Sequence, residues 1–223
     1  MKETDLFIRA GTNLNSEAKE SILLHRGYVE AFIQQHPEFL ASLVPLQFSK
    51  PVPSIIADML KAAAESGVGP MAAVAGAIAE SVGHDLLKLS REVIIENGGD
   101  IFIRTHQPVT VAIFANRSPL NMRIGLRIDC RNRPMAVCTS SGTLGHSLSL
   151  GTADAVTVVS RSCSLADAAA TAVANRVKQK EDVKKALSFG KNIKGVKGLL
   201  VIKNDAAGMW GNLNVVQLQQ NNG

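Results

Sequence analysis

Aromatic side chains are scarce in this chain. Phe, Tyr and Trp together make up 4% of its 223 residues, with one Trp and one Tyr. Charged residues are few as well, at 19% against 46% hydrophobic, which excludes a disordered chain and fits a folded globular one. The three cysteines, Cys130, Cys138 and Cys163, are an odd number at irregular spacing, and no C-x-x-C pair exists. That argues against a disulfide framework. No apolar run reaches the length of a membrane span; even "VGPMAAVAGAIAESVG" is short and rich in Ala and Gly. The opening "MKETDLFIRAGTN" lacks the apolar core of a signal peptide, so a cytoplasmic protein with no membrane contact is expected.

What is plentiful is Ala, Val, Ile and Gly, the material of closely packed helices and sheets. The net charge of +5 is concentrated in residues 176–223, which hold nine Lys/Arg against three Asp/Glu. This basic end has no interleaved aromatics and no recognition motif, so it reads as a solvated surface and nucleic acid is not an expected partner.

Apolar spacing predicts a helix from Ser16 to about Leu43, with Asn15 or Ser16 as its cap. A proline-rich loop, a second helix ending near Gly67 and a third opening at Pro70 follow. From Arg91 the pattern turns to short β-rich runs, "REVIIE", "DIFIR", "PVTVAIF", "MRIGLRI", "PMAVC" and "DAVTVVS". The helix "SLADAAATAVANRV" comes next, then final strands "GLLVIK" and "NVVQLQ" around "NDAAGMWGN". The expectation is one α+β domain over residues 1–223, helical over about 15–90 and β-rich over about 91–223, with a mostly antiparallel sheet packed on helices.

Four motifs carry chemical interest, and each has a plain structural reading beside the functional one. "GHSLS" misses the nucleophile elbow G-x-S-x-G by its last residue. None of the five histidines (His25, His36, His84, His106, His146) follows Ser147, which excludes a triad in that order. "TSSGTLGHS" (Thr139–Ser147) has no P-loop lysine, but its glycines and hydroxyls could cradle phosphates, or simply close a hairpin. "ENGGDI" holds the hairpin signal Asn97-Gly98. In "SLADAAAT", Asp167 and Thr171 lie four apart on one helix face. They are hard oxygen donors suited to Mg²⁺, or Ser164 and Asp167 are a capping box for their own helix. The cysteines read as buried thiols or, alternatively, as a sulfur-handling or zinc site with His106 or His146.

In order, "VGPMAAVAGAIAE", "ENGGDI", "CTSSGTLGHSLSLGTADAVTVVS" and "ADAAAT" closely resemble an uncharacterised bacterial and archaeal family related to ApbE, over roughly residues 15–176. The resemblance to the ApbE flavin transferases themselves is confined to roughly 66–175. It implies a T-fold-like α+β architecture, FAD or a similar nucleotide diphosphate as ligand, and Mg²⁺ as cofactor. It further implies possible transfer of the flavin nucleotide to a protein acceptor. Asp167 and Thr171 match the metal-holding pair. Gly98, Gly99 and Asp100 match the "GGD" turn, and Thr139, Ser141 and Gly142 the "TSG" segment beside the dinucleotide; with them Asn97, Ser140 and Thr143 are candidate ligand-binding residues. His146 is the candidate catalytic residue, although ApbE's "H-x-x-D-P-x-T-G" segment has no Asp-Pro counterpart here and the lysine of its "GGIAKGYA" motif is missing. A non-catalytic binding or assembly protein of the same fold, or a cysteine-dependent protein, are the alternative readings. The Ala/Gly-rich helix and the sheet edges suit a homodimer or a monomer's core equally.

Overall fold

A computed structural model describes residues 4–142 and 151–219. The chain opens with strand β1 (Phe7–Ala10), followed by helices α1 (Asn15–Gln35), α2 (Glu38–Ala41), α3 (Ser54–Ser66) and α4 (Val74–Leu86). A 3₁₀ turn, Pro70–Ala73, leads directly into α4. Six strands follow, β2 (Val93–Asn97), β3 (Asp100–Arg104), β4 (Val109–Ala112), β5 (Ile124–Ile128), β6 (Met135–Ser140) and β7 (Ala155–Ser160). Helices α5 (Cys163–Ala174) and α6 (Val183–Gly190) then precede β8 (Val196–Lys203), β9 (Ala206–Gly211) and β10 (Val215–Gln217).

Seven strands form one sheet in the order β1-β2-β3-β6-β7-β8-β9, and β10-β5-β4 form a second. Every pairing is antiparallel. Because side chains alternate along a strand, the large sheet has two distinct faces. Val93, Ile95, Phe102, Ala136, Cys138, Val156, Val158, Leu199 and Val201 pack with the helices. Ile103, Val137, Ala155, Val159, Leu200 and Ile202 pack with Ile113, Leu126 and Ile128 of the small sheet and its flanks. The result is three layers, helices on sheet on sheet. Strand β7 lies in the sheet interior between β6 and β8 with all six residues buried, which is why its apolar residues do not alternate.

The expected first helix is cut in two. Pro37 has no N–H and its ring crowds the preceding turn, so α1 ends at Gln35 and α2 is a separate turn. Neither Asn15 nor Ser16 caps α1; Asn13 Oδ1 accepts from Asn15 N–H at 3.2 Å. "AAGMWG", expected as a connection, is the edge strand β9. Among the described residues, no single helix is long and apolar enough to cross a membrane. The few aromatics gather where the chain is least regular. Phe32 stacks edge-on with Phe39 and Phe48 at 5.0 and 5.1 Å, pinning the proline-rich loop to α1 and α2.

Helix α4 rides close on the sheet because Gly83 has no side chain. A Cβ there would run into the ring of Phe102, which is fully buried. Gly27, in the exposed face of α1, has open space around it. The same substitution at these two glycines should therefore have opposite signs. Gly27→Ala should stabilise by about 0.5–1 kcal/mol through helix propensity. Gly83→Ala should destabilise by about 1–3 kcal/mol through overpacking. Urea unfolding of both variants checks the claim, and a stabilised Gly83→Ala would refute the close approach.

Candidate functional site

The turn between β2 and β3 has two residues, Gly98 and Gly99, with φ of 63° and 102°. Asn97 and Asp100 pair across it. Positive φ at both central positions is the geometry of a type I′ hairpin turn, which glycine adopts without strain. The turn is anchored on both sides. Asn97 Nδ2 donates to the carbonyl of Ala75 at 3.0 Å, and Thr139 N–H donates to Gly99 O at 3.1 Å. Asp100 pairs in register with Cys138 and shares the helix-facing side of the sheet with Phe102, where it is buried.

Opposite Asp100 stands Asp167, on the second turn of α5. Its carboxylate accepts from Gly76 N–H at 2.9 Å and also from the N–H of Ala75. These are first-turn amides of α4, whose own N-cap residue, Ala73, supplies no side-chain bond. Asp167 therefore caps a neighbouring helix rather than its own. The reverse also holds. Glu80 of α4 accepts at Oε2 from Cys163 N–H and Ser164 N–H, at 2.9 and 3.0 Å, and from the hydroxyls of Ser162 and Ser164. The S-x-x-D capping box expected from Ser164 and Asp167 is thus not the cap of α5. Its N-cap is Ser162, which accepts from Leu165 N–H, and Glu80 supplies the negative charge. Gly76 makes the interlock possible. A Cβ there would overlap the Cys163 carbonyl and stand 2.8 Å from Asp167 Cβ.

Two carboxyls facing one another across a buried space repel and lose hydration. Burial, with the Asp167 charge second, holds Asp100 well above the ordinary carboxylate range, although a hydrogen bond with Cys138 pulls the other way. Burial also pushes Asp167 up to about 7, against the pull of the Gly76 and Ala75 amides. Thr171, one turn further along α5, is buried. Asp100, Asp167 and Thr171 offer only hard oxygens, the donor chemistry of Mg²⁺. Among the described residues, no cluster of three or more His, Cys, Asp or Glu is arranged for a metal ion. A cation here would thus draw on these oxygens, with water or phosphate completing its shell.

The "TSSG" segment lies along the same end of the sheet. Thr139, Ser140 and their neighbours continue β6, with Ser140 opposite Val156. Thr139 Oγ1 meets Thr157 Oγ1 at 2.9 Å, on the face turned away from the helices. Gly142 N–H donates to Ala153 O at 3.0 Å, and a Cβ at Gly142 would overlap the backbone at Gly151. Thr143 and His146 fall outside the described residues. Asn97, Gly98, Gly99, Asp100, Thr139, Ser140 and Gly142 are thereby gathered at one sheet end with Asp167 beneath them, and Ser141 stands between Ser140 and Gly142 on the same segment.

The thiols of Cys138 and Cys163 lie 3.5 Å apart in the same buried region. Burial raises Cys138 well above the ordinary thiol range. For Cys163 the hydrogen bond with Cys138 pulls downward, but burial and the carboxylates of Asp100, Glu80 and Asp167 bring it to about 11. Both shifts run opposite to the activation of a nucleophilic cysteine. Cys130 is also buried, in contact with Thr105 Oγ1 at 3.0 Å.

Glu80 and Gly76 were not read as functional from sequence. Both lie in "VGPMAAVAGAIAE", but Glu80's partners are some eighty residues away, and only the pair of serines at the start of α5, Ser162 and Ser164, hints at a shared acceptor.

A family model described as AbpE bacteria matches residues 1–209. A UPF0280 protein of Methanosarcina barkeri is 41% identical over 214 residues, covering 95% of this chain and 84% of its own. Another from Methanococcus aeolicus is 39% identical over 201 residues, covering 88% and 81%. Among solved structures, the apo form of the Pseudomonas stutzeri flavinyl transferase ApbE superposes with a TM-score of 0.59 over 93% of this chain and 94% of that one. At 14% identity this likeness shows a shared fold.

The raised Asp167 carboxyl has a stability consequence. A carboxyl whose folded pKa lies above its unfolded value binds more protons when folded, so stability falls as pH rises from about 4 to about 7. Asp167→Asn keeps an oxygen for the Gly76 amide but cannot ionise. We expect it to lose this portion of the decline, so that it gains on the wild type between pH 5 and pH 8 in denaturant unfolding. An unchanged difference across that window would show that Asp167 is not desolvated as described.

Proposed function

We propose that this chain, which belongs to the AbpE bacteria family, binds FAD or a similar nucleotide diphosphate together with Mg²⁺ at the Asp100–Asp167 end of its large sheet. The observation that carries this reading is the convergence of a buried carboxyl, Asp100, and a half-buried one, Asp167, beneath a glycine turn. Such a pair is unfavourable by itself and is relieved by a divalent cation. Asp167, Asp100 and the Thr171 hydroxyl would hold the metal, which supplies positive charge to neutralise a pyrophosphate. Gly98 and Gly99 keep the β2–β3 turn free of side chains, so a phosphate can approach the backbone. The run from Thr139 to Gly142, with Thr143 beyond the described residues, supplies hydroxyls and amides along the same end.

Transfer of the flavin nucleotide to a protein acceptor is the fuller form of the proposal, in line with the activity named for the Pseudomonas stutzeri relative in fold. It needs a group to take the proton of the attacking hydroxyl, a role we assign to His146. A second reading rests on one specific feature. Asp167 already accepts two backbone amides, which suits a binding or assembly protein that keeps the fold and uses the carboxylate as a cap.

Thermal unfolding with FAD and MgCl₂ tests the binding. Ligand at a hundred times its Kd adds about 2.7 kcal/mol. For a domain of this size that is a rise in Tm of roughly 5–11 °C. We expect the shift with both components, little with either alone, and its loss in Asp167→Asn. No shift with FAD or other nucleotide diphosphates, or an equal shift in the variant, would overturn the proposal. Covalent flavin on an added acceptor protein, lost in His146→Ala, separates the transferase from the second reading.

A further inference from the structure

A cavity of about 480 Å³ opens at the other end of β2 and β3, lined by Leu87, Ser90, Arg91, Arg104, His106 and Pro134. Its walls carry two guanidinium groups and no carboxylate. Arg104 is held in place from one side only, donating from Nη1 to the carbonyls of Thr105 and Cys130 at 3.2 and 3.3 Å. The rest of its donor fork has no acceptor among the described residues. The Arg91 side chain forms no hydrogen bond or ion pair with any described residue. The nearest acid in sequence, Glu92, forms no ion pair with either arginine. Its Oε1 accepts from the main-chain N–H of His106 at 2.6 Å, so its charge sits at the His106 side of the cavity, and the two guanidinium groups outnumber it. Ser90 is fully engaged, donating to Glu92 O and accepting from Gly11 N–H. It shapes the floor without competing for a ligand.

The C-terminal end of α4 faces this region and carries a partial negative charge. Its last carbonyls are already closed, with Leu86 O accepting from both Leu89 and Ser90 N–H. Two charged forks outweigh that residue of dipole, because guanidinium–oxyanion hydrogen bonds are the stronger interaction. We propose that this cavity is an oxyanion site. It takes the phosphate or carboxylate group of a small molecule between Arg91 and Arg104, with the ligand's apolar body against Leu87 and Pro134. The volume exceeds that of a bare phosphate and lies within the range of small-molecule sites. Along β3, Arg104 is roughly 13 Å from Asp100 at ordinary strand rise, so this is a separate site from the one beneath the glycine turn.

Calorimetric titration of the full chain with inorganic phosphate, and separately with succinate, at constant ionic strength against a chloride control tests the assignment. We expect saturable binding of at least one of them, the preferred anion telling phosphate from carboxylate ligands. Arg91→Gln removes a side chain with no structural partner, so it should fold normally and weaken that binding about tenfold or more. Arg104→Gln should weaken it further where it folds. Thermal stabilisation by FAD and MgCl₂ should be unchanged in Arg91→Gln. No saturable binding above chloride, unaltered binding in Arg91→Gln, or a diminished FAD response in that variant would overturn the proposal. An absent FAD response in the wild type would count against the nucleotide reading and leave the anion titration to decide this one.

Discussion

Two helices in this protein cap each other. Glu80 of α4 gathers the free amides and hydroxyls at the start of α5, and Asp167 of α5 accepts the Ala75 and Gly76 amides at the start of α4. A helix start leaves amide donors without intrahelical partners, and burying them unpaired costs about 1–3 kcal/mol each. Here both starts are partly buried, and each finds its acceptor on the other helix. The reciprocal arrangement fixes the relative height of α4 and α5, and through Gly76 it sets how closely they approach. It also sets where Asp167 faces β3, and so where Asp100 meets it.

That juxtaposition stores the chemical potential of the site. A carboxylate tied to two amides would ordinarily ionise more readily, yet burial leaves Asp167 near 7 and holds Asp100 well above the ordinary carboxylate range. Asp85 shows what a paired acid does instead. Burial works upward on it too, but hydrogen bonds from Lys88, His25 and Ser21 bring it down to about 2. Asp85 differs from Asp167 in being less deeply buried and in having side-chain donors, Lys88 among them, within hydrogen-bond reach. This chain shares its fold with a flavinyl transferase at 14% identity, and an unneutralised acid pair at a strand end is a cost that a purely structural scaffold could avoid with Asn.

The parts of this arrangement that sequence made legible are those fixed by local backbone rules. Asn97 to Asp100 could be read as a hairpin because a two-residue turn with positive φ selects glycine. The strands from Val93 onward follow alternation and turn residues, and α5 follows its alanines. What could not be read depends on distance. Glu80 meets Ser162–Ser164 only through the packing of α4 on α5, so the nearer S-x-x-D spacing suggested the wrong cap. Edge strand β9 escaped notice since an edge needs one partner and tolerates the glycines of "AAGMWG". The break after α1 was marked by Pro37, but apolar residues continuing at helical spacing masked it.

The most direct test of the account is an infrared titration of the carboxyl C=O stretch, comparing wild type with Asp167→Asn, with and without MgCl₂ and FAD. In their absence one carboxyl belonging to Asp167 should lose its proton near pH 7. With both present the same band should vanish at all pH values above about 5, as the cation takes the proton's place. A band that persists unchanged to neutral pH in saturating Mg²⁺ and FAD would contradict the account, because the Asp100–Asp167 pair would then be a feature of the fold and not a seat for a metal.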